Sequence, residues 1–184
     1  MFARASAFQR HGFASTLPYE FDVETIDPAS HIRSLLQEQE PIAREFTPLL
    51  QSAGLMAGSN PNSPFKPTYY CRLYQADHHA TVSLGAVYLR AVGDRYQQLD
   101  LEYYVSGTYY ASATLYEIWP IRDGRRTGSL VWCDVLCSAP VLRFGSGIER
   151  LASGVILTLE FKKFVRCFQD SIKTAGTLPA PAAR

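Results

Sequence analysis

Three stretches with the sequence pattern of β-strands, in the middle of the chain, decide the fold. They read YQQLDLEYYV (96–105), YYASATLYEIWPI (109–121) and SLVWCDVLCS (129–138). In the first stretch apolar and polar residues alternate, which predicts a strand with one buried face and one face in water. The second stretch has a single acid, Glu117, so we expect a central strand that is covered on both faces. Asp123-Gly124, between the second and third stretches, predicts a tight hairpin turn.

The rest of the chain adds strands before this region and helices on either side of it. Residues 68–75 and 81–90 predict a preceding hairpin, so we expect about five antiparallel strands in a meander. Residues 31–52 carry an apolar stripe interrupted at Pro41, which predicts one kinked helix or two short ones. Residues 147–174 have the apolar period of a long amphipathic helix, which we expect to pack on the sheet. The predicted fold class is therefore α+β.

The predicted domain organisation is a single domain with an arm at each end. A chain of 184 residues has the length of one domain. We expect an α+β domain over residues 30–176, with a flexible loop rich in Pro and Gly at residues 54–67. A basic N-terminal arm precedes it over residues 1–29, and a Pro/Ala-rich tail follows over residues 177–184. The net charge of +1 gives no electrostatic reason to expect a nucleic acid as partner.

The N-terminal arm has the composition of a targeting segment. Residues 1–19 contain no acid, and they carry arginines among Ala, Ser and Phe. Phe2, Ala5 and Phe8 can share one face of a helix. An amphipathic, basic and acid-poor segment is typical of a mitochondrial presequence, and a basic arm that binds a partner is the other interpretation. We therefore expect a mitochondrial location, on the matrix side or at the periphery of the inner membrane, with the cytoplasm as the alternative.

Few residues stand in the patterns that catalysis needs. Asp77-His78-His79 matches the letters of the DHH phosphoesterase motif. That family also carries Asp-rich motifs on a parallel α/β scaffold, which this sequence lacks, so we interpret these residues as a polar hairpin turn. Ser146 with Glu149 predicts a helix capping box rather than a nucleophile. We see no nucleophile elbow, phosphate-binding loop or zinc-binding His-Glu-x-x-His motif, and we expect no catalytic residue, no cofactor and no metal.

The cysteines predict a reduced protein. Cys133 and Cys137 lie four residues apart in one predicted strand, which separates them by roughly 13 Å. That distance is too long for a disulfide. We interpret these two cysteines, together with Cys71 and Cys167, as reduced core residues, which fits a reducing compartment.

The first functional hypothesis is a non-catalytic accessory subunit of a larger assembly. The chain has 11 Tyr and 10 Phe, and its arms bear proline and basic residues around a small α+β core. Such a protein acts by docking on other subunits, with buried aromatic and arginine side chains supplying the binding energy. The expected partners are other protein subunits, and a mitochondrial membrane-associated complex is the expected host.

The second hypothesis is a carrier of a lipid or another hydrophobic ligand. An antiparallel sheet followed by a long helix is similar in outline to the START-like helix-grip architecture. The resemblance implies a cavity between the helix and a curved sheet, in which a lipid or quinone binds. The element order differs, because here a helical region precedes all the strands, whereas that fold begins with a strand. Five aromatic residues are the candidate ligand-binding residues, with packing in a solid core as the alternative: Tyr103, Tyr110, Tyr116, Trp119 and Trp132.

Overall fold

A five-stranded antiparallel sheet forms the centre of the protein. The computed structural model describes residues 2–21, 24–58, 63–76, 79–106, 109–123 and 126–138. Each strand of this sheet pairs with the next one along the chain. The strands are β3 (Thr68–Ala76), β4 (His79–Val92), β5 (Arg95–Val105), β6 (Ala111–Asp123) and β7 (Arg126–Ser138). The predicted α+β class and the predicted five-stranded antiparallel meander are confirmed.

The strand pairing places the hairpin turns where the sequence predicted them. The β3–β4 ladder extends to the pair Ala76 and His79. The β6–β7 ladder extends to the pair Asp123 and Arg126. β7 therefore begins three residues before the predicted strand at Ser129, because the hairpin continues pairing up to the turn.

The helices and a small two-stranded sheet precede the central sheet. Pro41 and Pro48 each lie in a first helical turn, where a missing N–H costs nothing, and they divide the predicted helical region 31–52. The side chain of Asp27 caps the preceding helix, which begins at Pro28, by accepting a hydrogen bond of 2.9 Å from the N–H of Ala29. The elements are α1 (Phe2–His11), a 3-10 helix (Phe13–Ser15), β1 (Tyr19–Phe21), β2 (Glu24–Ile26), α2 (Pro28–Glu38), α3 (Glu40–Glu45) and α4 (Thr47–Ser52).

The main core lies between these helices and one face of the sheet, which we call the helical face. The ring of Phe8 stacks on the ring of Tyr103, with centroids 4.1 Å apart and planes 12° apart. The predicted N-terminal arm thus supplies core residues. The largest buried apolar side chains of this core are Phe8, Phe13, Ile32, Leu36, Phe46, Leu49, Leu50, Leu55, Tyr88, Leu99, Leu101, Tyr103, Leu115 and Leu136.

A close contact between two glycines fixes the N-terminal segment to the end of α4. Gly12 and Gly54 both have φ of +74°, which favours glycine. A Cβ on Gly12 would lie 3.0 Å from the carbonyl oxygen of Ala53. That oxygen accepts a hydrogen bond of 2.9 Å from the N–H of Phe13. The two backbones therefore approach too closely for a side chain at Gly12.

Several sequence-based expectations lie outside the described residues. They are the C-terminal helix over 147–174, the tail over 177–184, Cys167, and Asp77 with His78. Within the described ranges, no helix is long and apolar enough to span a membrane.

Candidate functional site

The face of the sheet that points away from the N-terminal helices, here called the distal face, combines polar and apolar side chains. Because side chains alternate along each strand, the register assigns residues to this face. An antiparallel sheet that faces water normally carries polar residues there, and on the distal face apolar residues of β4, β6 and β7 lie beside them. Its apolar and thiol side chains are Val87, Leu89, Tyr116, Ile118, Val131, Cys133, Val135 and Cys137.

Two acids of β5 lie in the middle of the distal face. Asp100 is 9% exposed and Glu102 is 8% exposed, although the alternating pattern of β5 predicted that these positions would face water. The hydroxyl of Tyr70 donates a hydrogen bond of 2.5 Å to Asp100 Oδ1, and Arg72 Nη2 donates one of 3.0 Å to Asp100 Oδ2. Asp100 is therefore a carboxylate held by a phenol and a guanidinium from the edge strand β3.

Glu102 receives its hydrogen bonds from β6 and from the segment that precedes it, whereas Asp100 receives its hydrogen bonds from β3. The hydroxyl of Tyr109 and the Oγ of Ser112 both donate to Glu102 Oε2, the latter over 3.0 Å. Burial of a carboxylate costs much less when such donors replace water. We call these two acids and the four side chains that donate to them the polar cluster: Tyr70, Arg72, Asp100, Glu102, Tyr109 and Ser112.

Gly85 makes room for the tyrosine of the polar cluster. Gly85 pairs with Tyr70 across the β3–β4 ladder, and a Cβ built on Gly85 would overlap the Tyr70 ring. The β4–β5 ladder also has an irregularity between Leu84 and Gly85. The ring therefore lies over the glycine backbone, and this position lets its hydroxyl reach Asp100. The guanidinium carbon of Arg72 lies 4.2 Å from the centroid of the same ring, which adds a cation–π contact.

Burial and neighbouring groups raise the pKa of three side chains on the distal face. Burial, the hydrogen bond to Asp100 and the charge of that carboxylate raise the pKa of Tyr70 well above its ordinary value. Burial and the neighbouring Cys133 raise the pKa of Tyr116 to about 12. Burial and the charge of Glu102 raise the pKa of Cys137 to about 11. These three groups are protonated at neutral pH, and such a thiol is a poor nucleophile.

A serine–histidine contact joins α2 to the end of β7. His31 Nδ1 and Ser138 Oγ are 2.9 Å apart. Ser138 is only 2% exposed, so a substrate has no access to its hydroxyl. We interpret the pair as a structural link. Among the described residues, no group of three or more His, Cys, Asp or Glu side chains could hold a metal ion.

The five aromatic residues that the sequence suggested for a ligand site lie at different places. Tyr103 lies on the helical face against Phe8. Trp132 lies on the same face, with its ring centroid 6.1 Å from that of Phe46. The structure does not bring the five together at one cavity, since Tyr116 lies on the distal face, Trp119 pairs with Leu130, and the ring of Tyr110 lies 5.0 Å from that of Tyr19.

The β6–β7 hairpin extends beyond the rest of the sheet. β5 pairs with β6 only as far as Tyr96 and Ile118, while β6 and β7 pair up to Asp123 and Arg126. We call residues 119–130 the β-arm, because within the described chain its two strands pair only with each other. Five residues of strand extend roughly 16 Å.

The β-arm presents apolar side chains to solvent. Ile121 is 46% exposed and Leu130 is 56% exposed, and Arg122 is exposed as well. The sequence predicted the basic turn but not the projection. The β-arm projects because β5 begins at Arg95 and so pairs with β6 only as far as Ile118. The sequence of the β-arm itself contains no information on where β5 begins.

Comparison with known proteins identifies no relative. No family model, no curated protein and no solved structure matches this chain.

Proposed function

We propose that this protein is a non-catalytic accessory subunit that docks on another protein through the β-arm. The observation that carries the proposal is the projection of a two-stranded hairpin with exposed Ile121 and Leu130. A two-stranded hairpin without a third strand is marginally stable in water, so a partner surface would stabilise it. Exposed apolar side chains grouped on a projecting element are typical of interaction sites.

The chemistry of the β-arm favours one kind of partner surface. Burial of one large aliphatic side chain contributes about 1.5 to 3 kcal/mol, so Ile121 and Leu130 supply the main binding energy. The turn sequence Arg122-Asp123-Gly124-Arg125-Arg126 has more basic than acidic residues. Charges at an interface rim mainly set orientation and association rate. The partner surface that fits is an apolar groove with acidic residues at its rim.

We propose a mitochondrial host, on the matrix side or at the inner-membrane periphery, from the composition of residues 1–19. Phe8 and Phe13 are buried in the main core, so removal of this segment would open the core. We therefore propose that the segment is retained in the mature protein. Intact-mass analysis of the protein from its own source tests this point, because a processed mature protein would lack the mass of the segment.

Native mass spectrometry of the protein from its own source tests the docking proposal. Wild-type protein should appear in an assembly of defined mass and stoichiometry. Ile121→Ser with Leu130→Ser should leave the protein folded and release it as a monomer. Leu73→Ser is the matched control, because Leu73 is 74% exposed on the opposite edge strand β3.

Three outcomes would overturn the docking proposal. The first is a wild-type protein that is monomeric. The second is an assembly that survives the double substitution in the β-arm. The third is a protein that binds vesicles of anionic phospholipid through the β-arm, because a basic apolar hairpin also suits a membrane surface.

A second candidate function is the transport of a lipid or another hydrophobic ligand, and the distal face favours it. Ligand sites are mostly apolar with a few placed polar groups, and the polar cluster amid Val87, Tyr116 and Val135 fits that description. In this alternative the ligand lies against the distal face, with its polar group at the polar cluster. A gently isolated monomer with a lipid-sized adduct that is lost in Tyr116→Ala would favour the carrier over the subunit.

A further inference from the structure

A cavity of about 590 Å³ lies on the helical side of the protein. Ligand pockets typically measure about 300 to 1,000 Å³. Its apolar wall comes from α2, α3, the 3-10 helix and the turn that follows α4. The residues of this wall are Ala14, Leu36, Ala43, Gly54, Leu55, Met56 and Ala57.

The polar side chains of the cavity come from α2 and α3. Glu40 is already paired, because its Oε1 lies 2.6 Å from Arg44 Nη2. Arg33 is half-buried and has no hydrogen bond or ion pair with any described residue. The cavity therefore combines an apolar wall with an arginine that has no partner among the described residues.

We propose that this cavity binds a small amphipathic anion, an aliphatic carboxylate. Its chain would lie on the apolar wall, while Arg33 and the amide of Gln37 would bind the carboxylate. A guanidinium presents a planar set of donors that suits a carboxylate. A neutral ligand would leave Arg33 without an acceptor, and the charge of Arg33 would repel a cationic ligand. The proposal is independent of the β-arm and of the distal face.

Calorimetric titration of the full-length protein with decanoate and with decan-1-ol tests the charge requirement. Wild type should bind decanoate more tightly than the alcohol. Arg33→Gln should weaken decanoate binding roughly tenfold or more, the usual scale for a lost charged hydrogen bond, and should leave alcohol binding unchanged. Arg10→Gln is the matched control, because Arg10 is an exposed arginine of α1 that does not line the cavity.

Two substitutions that fill the cavity test its position. Ala14 and Ala57 are exposed lining residues, so Ala14→Trp or Ala57→Trp should abolish the binding of both probes while circular dichroism shows an intact fold. Amide chemical-shift changes on decanoate addition should map to residues 54–57. The proposal is overturned by absent binding at millimolar decanoate, by equal decanoate affinity in Arg33→Gln, or by shift changes confined to the distal face. Ile121→Ser should not alter decanoate affinity, which separates this test from that of the docking proposal.

Discussion

At the scale of single residues, the space above Gly85 determines whether the polar cluster can form. Gly85→Ala would place a Cβ within the ring of Tyr70 and displace the ring from Asp100. Overpacking of this kind costs about 1 to 3 kcal/mol, so we expect the free energy of unfolding to fall by that amount. Urea denaturation monitored by circular dichroism measures the change.

A second glycine provides the control for this substitution. Gly128 also lies in a strand, β7, but a Cβ built there has no neighbour within 4 Å. Gly128→Ala should therefore change stability by less than about 1 kcal/mol. In a protein that already carries Tyr70→Ala, adding Gly85→Ala should lower the free energy of unfolding much less than it does in the wild type. Equal costs with and without the tyrosine ring would contradict the steric explanation.

The thiol of Cys137 should make stability depend on alkaline pH. Burial and Glu102 raise its pKa in the folded state from 9.0 to about 11, so the fold favours the protonated thiol. The contribution is complete below pH 9 and is lost as the pH rises from 9 to 11, because the unfolded chain ionises first. At about 1.4 kcal/mol per pH unit, the loss is about 2 to 3 kcal/mol.

Unfolding by urea at pH 8, 9, 10 and 11 in the presence of a reductant measures this loss. Cys137→Ala should flatten the fall in the free energy of unfolding between pH 9 and 11. Cys71→Ala serves as the control, because Cys71 is exposed on the edge strand β3. The prediction that Cys71 is a core residue was wrong, since an edge strand leaves one side of its residues uncovered. A parallel fall in wild type and Cys137→Ala would show that the thiol does not contribute.

The polar cluster also shows what a sequence reveals about individual residues. The alternation in β5 correctly predicted that Leu99, Leu101 and Tyr103 share a buried face. It predicted that Asp100 and Glu102 face water, and this was wrong. Their hydrogen-bond partners come from β3, β6 and the segment before β6. The alternation within β5 contains no information on these partners, and therefore could not predict that the two acids are buried. A glycine inside a predicted strand was the one local signal of a close approach.

At the scale of elements, the N-terminal helix α1 should stabilise the whole fold. Phe8 is buried against Tyr103, and its ring also makes edge contacts with Phe13 and Tyr69. Removal of a buried phenylalanine ring costs about 3 to 5 kcal/mol, so Phe8→Ala should lower the free energy of unfolding by that amount. Chemical denaturation monitored by tryptophan fluorescence measures it.

The neighbouring residue gives the comparison. Gln9→Ala changes an exposed position of the same helix and should alter stability by less than about 0.5 kcal/mol. If Phe8→Ala were as stable as Gln9→Ala, α1 would be an attached arm rather than part of the core. The apolar spacing of residues 2, 5 and 8 predicted the helix. It could not predict the contact with Tyr103, which lies far along the chain.

The helical region 31–52 also shows a feature that the sequence pattern predicted only in part, namely the number of helices. Its apolar stripe and Pro41 predicted one kinked helix or two short helices. The structure has three, because Pro48 also begins a helix and Phe46 has a non-helical conformation between α3 and α4. A proline at the start of a helix and a proline that interrupts one have the same local sequence signal.

At the scale of the molecule, the meander could be predicted because each of its pairings is local. Antiparallel neighbours joined by short turns need only the strand pattern and the turn residues, and the sequence contains both. Which face of the sheet the helices cover depends on contacts between residues that are far apart in the sequence. The helices before the sheet cover the helical face, through contacts between residues that are distant in sequence, such as Phe8 and Tyr103.

The last prediction is that the distal face restricts access to its own thiols. Cys133 lies half-buried on this face opposite Tyr116, whereas Cys71 is exposed on the edge strand β3. Burial raises the pKa of the Cys133 thiol, so less of it is present as the reactive thiolate at neutral pH. A maleimide should therefore label Cys71 faster than Cys133 in the folded protein, with peptide masses identifying each site. In urea the two rates should become equal, because unfolding removes the burial. Equal rates in the folded protein would show that the distal face is open to solvent at Cys133.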